Sequence, residues 1–401
     1  MTSQRAAVIL SMHPTGYSLM RDLAQAGVPV VGLDHNPVRP GLYSRLGDKM
    51  LCPSPEKEQE LLDFLVRLAT GYREKPVLFA ANDVFALAVA RHHEELAPHF
   101  ELPMPELSVV EKLMDKGKFA AEMHRLGIPH PQTTVVRTES DLDDLEGEII
   151  FPCVAKPSFL LRGCPKAVQA ESMEELKELY REVFNNGYPI IVQEVVPGGC
   201  RDLWSYQAYY DRHSESRVCF TVRKIRQHPA RHGTACMAET AKNSEVKQLA
   251  ETILGHVKYV GLVDVEFKWD RRENHYKVIE INARIGLWHS LGKVANANLA
   301  LAAYRDMIGL PYERNGTFVE GRKWRFLRRD IETAFGEFRA GELGLVDWLK
   351  SVRGKKAYPV FSWGDIMPFL VSLPYVARLK GSMIKPRLRR DGVSRYGNEP
   401  E

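Results

Sequence analysis

Two apolar-polar alternations separated by a short charged loop, Leu262-Val-Asp-Val-Glu-Phe-Lys-Trp269 and Tyr276-Lys-Val-Ile-Glu-Ile-Asn282, constrain this chain more than any other stretch. Successive strand side chains point to opposite faces. Val263, Val265, Phe267 and Trp269 therefore take one face, and Asp264 and Glu266 take the other. On the second strand Glu280 and Asn282 share a face. A five-residue hairpin loop over residues 270–274 pairs Trp269 with His275 and sets Glu280 opposite Asp264, with Glu266 one diagonal step away. Like charges facing one another destabilise a sheet, so this cluster calls for a cation among them. Oxygen donors favour a hard ion, magnesium or manganese, bridging nucleotide phosphates. The plain alternative is a solvated sheet face neutralised by Lys268 and Lys277.

The chain ahead of this hairpin divides in two. Residues 6–10 and 28–33 read as strands joined by a helix, the β-α-β unit of a parallel sheet. A helix over 56–70, a strand over 76–81 and a helix from Asp83 continue the alternation. Residues 1–110 are thus expected to form a doubly wound α/β domain. Asp34 ends the second strand where dinucleotide folds carry a ribose-binding acid, but the preceding loop lacks GxGxxG, so no nicotinamide site is expected. His13, Thr15, Asn82 and Asp83 follow strand ends at one sheet edge, where they serve either substrate contact or turn and cap chemistry. After Pro103-Met-Pro105 the pattern becomes mixed α+β over residues 111–311. It starts with a helix over 111–126 and includes a strand over 149–155 that ends in Lys156. Residues 312–401 form a third region with a helix over 342–352 and a basic tail.

Composition excludes little. A net charge of +4 from 55 basic and 51 acidic side chains gives no argument for a nucleic-acid partner. Six cysteines without a CxxC spacing and an N-terminus unlike a signal segment suggest reduced thiols in a cytoplasm. The strongly apolar residues 367–377 are too few to span a bilayer. His228, His232 and Cys236 are spaced four apart, but Pro229 and Gly233 break any helix that would align them on zinc. A loop near the acceptor substrate, with His232 in it, is the favoured reading.

Gly261-Leu-Val-Asp-Val-Glu-Phe267 followed by Ile279-Glu-Ile-Asn-Ala-Arg284 resembles the metal-binding strands of the ATP-grasp superfamily, in the branch that includes carbamoyl-phosphate synthase, biotin carboxylase and D-aspartate ligase. The resemblance covers residues 1 to about 311. It implies a pre-ATP-grasp domain, a two-lobed ATP-grasp fold with its lobe boundary near residue 194, and a small C-terminal extension. Carried over by position, Glu266 and Glu280 would be the principal magnesium ligands with Asn282 as third, and Arg284 would steady the phosphate. Lys118, with Lys116 as its rival, and Lys156 would hold nucleotide phosphates. Gln193-Glu-Val-Val-Pro-Gly198 is similar to the segment joining the two halves, where Glu194 and Val196 would read adenine and Asp202 the ribose. Lys224 or Arg226 would neutralise the transferring phosphoryl group. The phosphate loop departs from the family's glycine-rich run: Ser158-Phe-Leu-Leu-Arg-Gly-Cys-Pro165 leaves Gly163 alone to supply free backbone geometry, with Arg162 as a substitute phosphate contact.

The implied activity is an ATP-dependent carboxylate-amine ligase that forms an amide through an acyl phosphate, releasing ADP and phosphate, with small-molecule substrates. A bicarbonate-using carboxylase-type enzyme and a non-catalytic nucleotide-binding or membrane-surface protein are its rivals. A homodimer is compatible with the sequence. The aromatics and basic cluster of the third region read as a packed helix with a solvated tail, against peripheral contact with an anionic membrane.

Overall fold

Strands sandwiched between helical layers are apolar on both faces, and β1 (Ala7–Leu10), β2 (Val30–Asp34) and β4 (Val77–Ala80) are almost wholly buried. With β3 (Asp48–Leu51) they form a parallel sheet in the order β3-β2-β1-β4. The structure, a computed structural model, describes residues 5–159, 167–184, 187–229, 233–313 and 317–373.

Two antiparallel sheets follow. β5 (Thr133–Val136), β6 (Cys153–Pro157), β7 (Val168–Ala170) and β8 (Ile190–Glu194) make a small sheet in the order β5-β8-β6-β7. It carries its own core, with Cys153, Ala155, Leu176, Phe184, Ile190 and Val192 packed together. The larger sheet contains β9 (Leu203–Tyr210), β10 (Ser216–His228), β11 (Thr234–Thr240), β12 (Gly261–Asp270), β13 (His275–Asn282), β14 (Lys323–Arg325) and β15 (Lys356–Ala357). Its order is β13-β12-β9-β10-β11-β14-β15. One apolar cluster runs from Leu10, Leu33 and Phe85 of the first sheet's layer to Tyr206, Val263, Val265 and Phe267 of the large sheet, so the two share a core. Residues beyond 312 add β14 and β15 to that sheet, and Asp365 accepts from the Tyr17 hydroxyl at 3.0 Å, strapping the extension back onto the N-terminal domain.

The expected helix over 111–126 is two helices, Leu107–Met114 and Lys116–Arg125. Asp115 between them adopts extended backbone, and its carboxylate accepts from the Gly117 and Lys118 amides, so it caps the second helix and ends the first. Among the described residues no helix is long and apolar enough to cross a membrane.

Candidate functional site

The register of the acidic hairpin differs from the expected one. Its loop holds four residues, 271–274, with Asn274 in the left-handed region (φ 57°), and Asp270 pairs with His275. The Asp270 carboxylate fixes this turn by accepting from the Arg272 amide at 2.9 Å and its Nε at 3.0 Å. Continued regularly, that pairing would put Ile279 opposite Glu266. A bulge at Ile279 absorbs one residue instead, so Glu266 faces Glu280 and Asp264 faces Asn282. Three acids and one amide thus occupy two neighbouring rungs of one face.

These acids lie in a recess. Asp264 is buried, and its Oδ1 accepts from Ser205 Oγ at 2.6 Å. Burial pushes Asp264 up to about 6 against the Ser205 bond and the Arg284 charge. Glu266 rises to about 8 through burial and the neighbouring charges of Glu280 and Asp264. Three carboxylates and an amide oxygen gathered on one face form an all-oxygen donor set of the kind that fits a hard divalent cation. The Lys268 and Lys277 alternative fails on geometry. Lys268 Nζ donates to the Val196 carbonyl at 2.6 Å, and Lys277 Nζ donates to Glu194 and Glu273, each at 2.7 Å.

Across from the acids stand the lysines. Lys156, on β6, donates to Gln193 Oε1 at 3.0 Å. Its pKa falls through burial and the charge of Lys116, while Glu280 and Glu266 pull it upward. Lys116 therefore shares the space around Lys156. Lys118 is exposed instead, with its Nζ 3.8 Å from Glu111. Ser158 Oγ donates to Asp115 Oδ1 at 2.9 Å, and the Lys116 amide donates to the Ser158 carbonyl at 2.8 Å, so the residue that follows β6 is tied to the helix cap. Of the two phosphoryl-neutralising candidates, Lys224 faces Glu266. Arg226 is committed to a buried pair with Asp330, Nε to Oδ1 at 2.7 Å.

At the hinge, the Glu194 side chain accepts from Lys277 Nζ at 2.7 Å, Arg272 at 2.8 Å and the Gln132 amide at 3.1 Å. Burial alone would raise its pKa, but these bonds outweigh that and hold it below the ordinary range. Glu194, Asp270 and Glu273 are close enough to suggest a metal group, yet Lys277 and Arg272 already neutralise them. Asp202 accepts from the Gly199 amide at 2.9 Å and from Arg271 at 3.1 Å. Gly163, Arg162 and His232 lie outside the described residues.

The N-terminal domain closes the far end. Arg284 grips Asp83 with both prongs, Nε to Oδ1 at 2.6 Å and Nη2 to Oδ2 at 3.0 Å, and also donates to Asn282 Oδ1 at 3.2 Å. Asn82 caps the helix Asp83–Arg91 by accepting from the Phe85 amide. Thr15 is buried, while His13 is exposed at the start of the helix Pro14–Ala24. Both Asp34 oxygens accept backbone amides, from Met12 at 2.7 Å and Asn36 at 2.9 Å, which holds the loop after β1. Sequence reasoning missed Ser205, Gln207 and Gly286. Gln207 is fully buried beside Asp264 on β9, and neither of its amide atoms has a hydrogen-bond partner. The polar alternation Ser205, Gln207 between Tyr206 and Ala208 was the available signal.

A parallel domain followed by two antiparallel lobes, with acids on one lobe facing lysines on the other, resembles the ATP-grasp class, and the chain's similarities lie with the ATP-grasp superfamily of ATP-dependent, ligase-type enzymes. The family described as carbamoyl-phosphate synthase L chain, ATP binding domain, matches residues 217–311. A D-aspartate ligase of Enterococcus faecium (strain Aus0004) is 25% identical over 320 residues, 75% of this chain and 76% of the relative. Among solved structures, a biotin carboxylase from Campylobacter jejuni in complex with β-γ-ATP superposes with TM-score 0.64 at 15% identity, over 80% of this chain and 75% of that one. An L-amino acid ligase from Bacillus licheniformis gives TM-score 0.59 at 16% identity, over 78% and 76%.

Proposed function

We infer that the protein is an ADP-forming carbon-nitrogen ligase that joins a small carboxylic acid to an amine. The observation that carries this reading is the pair of acidic rungs, Glu266 with Glu280 and Asp264 with Asn282, faced by Lys156 and Lys116. A magnesium ion held by Glu266, Glu280 and Asn282 would supply positive charge at the nucleotide phosphates. Lys156 and Lys116 bind phosphate oxygens as point charges, and Lys224 offsets negative charge on the transferring group. A carboxylate oxygen attacks the terminal phosphorus and ADP departs. An amine nitrogen then attacks the acyl carbon, loses a proton, and expels phosphate. Arg284, oriented by Asp83, steadies the acyl phosphate. The D-aspartate and L-amino acid ligases among the similar proteins support an amino acid as the amine.

The test is ADP release with ATP and magnesium against pooled L- and D-amino acids, small peptides and uronic acids. Stimulation by one pool, lost in Glu280→Gln with its melting temperature retained, is expected. Full activity in that variant would refute the metal assignment.

A further inference from the structure

Strand β10 is irregular near its end. Lys224 pairs with Ala238 on β11 and Arg226 with Met237, so Ile225 is an extra residue without a partner on that strand. One rung further Gln227 pairs with Ala235, which leaves Cys236 as the extra residue on β11. In a regular strand Lys224 and Arg226 would share a face. The insertion at Ile225 parts them, with Lys224 beside Glu266 and Arg226 bonded to Asp330.

Bulges leave backbone groups off the ladder, and here they are met from outside the two strands. Cys200 Sγ donates to the Ile225 carbonyl at 3.1 Å. The Phe326 amide donates to the Cys236 carbonyl at 2.8 Å, and Thr333 Oγ1 donates to the Gln227 carbonyl at 3.3 Å. Thr333 lies on the helix Leu327–Arg339, whose buried residues are Asp330, Thr333 and Ala334, while Ile331 and Phe335 are exposed. An ordinary surface helix places its apolar stripe on the core, so this one docks through polar contacts to the bulged strand end instead. Asp330 is fully buried and accepts from Arg226 Nε at 2.7 Å and from Arg325 Nε at 2.6 Å. Such an ion pair adds little net stability over apolar packing, but straightening β10 would strand a buried carboxylate.

Lys224 depends on this irregularity. The side chain is buried, and its Nζ donates to Gln227 Oε1 at 3.1 Å and to the Gly233 carbonyl at 3.4 Å, both beyond the bulge. Both acceptors are neutral, so the ammonium is oriented with its charge still available to a phosphate.

We propose that helix Leu327–Arg339 is a positioning element of the site: Asp330 and Thr333 hold the bulged end of β10, and through Gln227 they set the Lys224 ammonium at the transferring phosphoryl group. This rests on the role given to Lys224 above. The residues beyond 312 thereby complete the site as well as the large sheet.

The test is a double-mutant cycle on ADP release by the full chain, together with competitive acetylation by acetic anhydride read lysine by lysine in the mass spectrometer. Thr333→Val should lower kcat about tenfold with the KM for ATP unchanged, and Thr333→Ser, which keeps the hydroxyl, should restore it. In a Lys224→Met background Thr333→Val should lower kcat no further. Gln227→Leu, which removes the acceptor without touching the helix, should reproduce the loss. Lys224 should be acetylated several-fold faster in Thr333→Val than in the parent, with Lys156 and Lys277 unchanged. Losses that add in the two backgrounds, parent-like turnover in Gln227→Leu, or acetylation of Lys224 at the parent rate overturn the proposal. Full ADP release by Lys224→Met overturns it together with the role of Lys224 on which it rests, whereas a crippled Lys224→Met beside an unimpaired Thr333→Val overturns the positioning alone.

Discussion

Gly286 shows how little room the site leaves. A Cβ there would sit 2.6 Å from Gln207 Nε2 and 2.7 Å from Asp264 Oδ2, both buried, so one of them has to move. Overpacking of this kind costs about 1–3 kcal/mol. Gly286→Ala is expected to lower the melting temperature and cut magnesium-dependent ADP release about tenfold, the kinetic equivalent of about 1.4 kcal/mol. Unchanged turnover would show that the packing around Asp264 and Gln207 does not bear on the reaction. Arg284 was legible as a basic residue following the second acidic strand, but its partner was not, because Asp83 lies 201 residues away and only the shared core brings the two together.

Among the elements, the break at Asp115 matters most. One carboxylate caps Lys116–Arg125 and accepts from Ser158 Oγ, coupling the lysine-bearing helix to the end of β6. Losing a cap costs about 0.5–2 kcal/mol. Asp115→Ala should lower the urea midpoint accordingly and raise the KM for ATP, and Asp115→Asn, which keeps an acceptor oxygen, should restore both. A lowered midpoint with an unaltered KM would confine Asp115 to stability. The acidic hairpin was legible as two strands whose acids share a face. Its register was not, since the bulge at Ile279 has no marker in an otherwise regular alternation.

For the whole molecule, His289 joins the N-terminal domain to the large lobe. It is buried, with Nε2 2.8 Å from Ser18 Oγ and Nδ1 3.9 Å from Asp22, and Arg21 and Lys293 add positive charge nearby. Burial pushes its pKa down to about 4 although Asp22 pulls the other way. The unfolded chain then binds a proton near pH 6.5 that the folded chain refuses until about pH 4. Stability from this group is complete above pH 6.5 and is lost as pH falls towards 4, by on the order of 3 kcal/mol. Urea midpoints measured across that range should fall on acidification, and His289→Gln should flatten the dependence. An identical slope in the variant would assign the acid sensitivity elsewhere.

Periodicity and residue chemistry by themselves determined the parallel first domain, the mixed region after it, the acidic hairpin and the lysine ending β6, because strand alternation and acid clustering are local properties. Tertiary structure decided the rest. Which lysine accompanies Lys156, which acid faces which, that Arg226 belongs to Asp330, and that residues beyond 312 complete the large sheet all depend on contacts distant in sequence. Burial also raises the pKa of Glu266 and lowers that of His289, since desolvation depends on what packs around a group and no spacing rule records it.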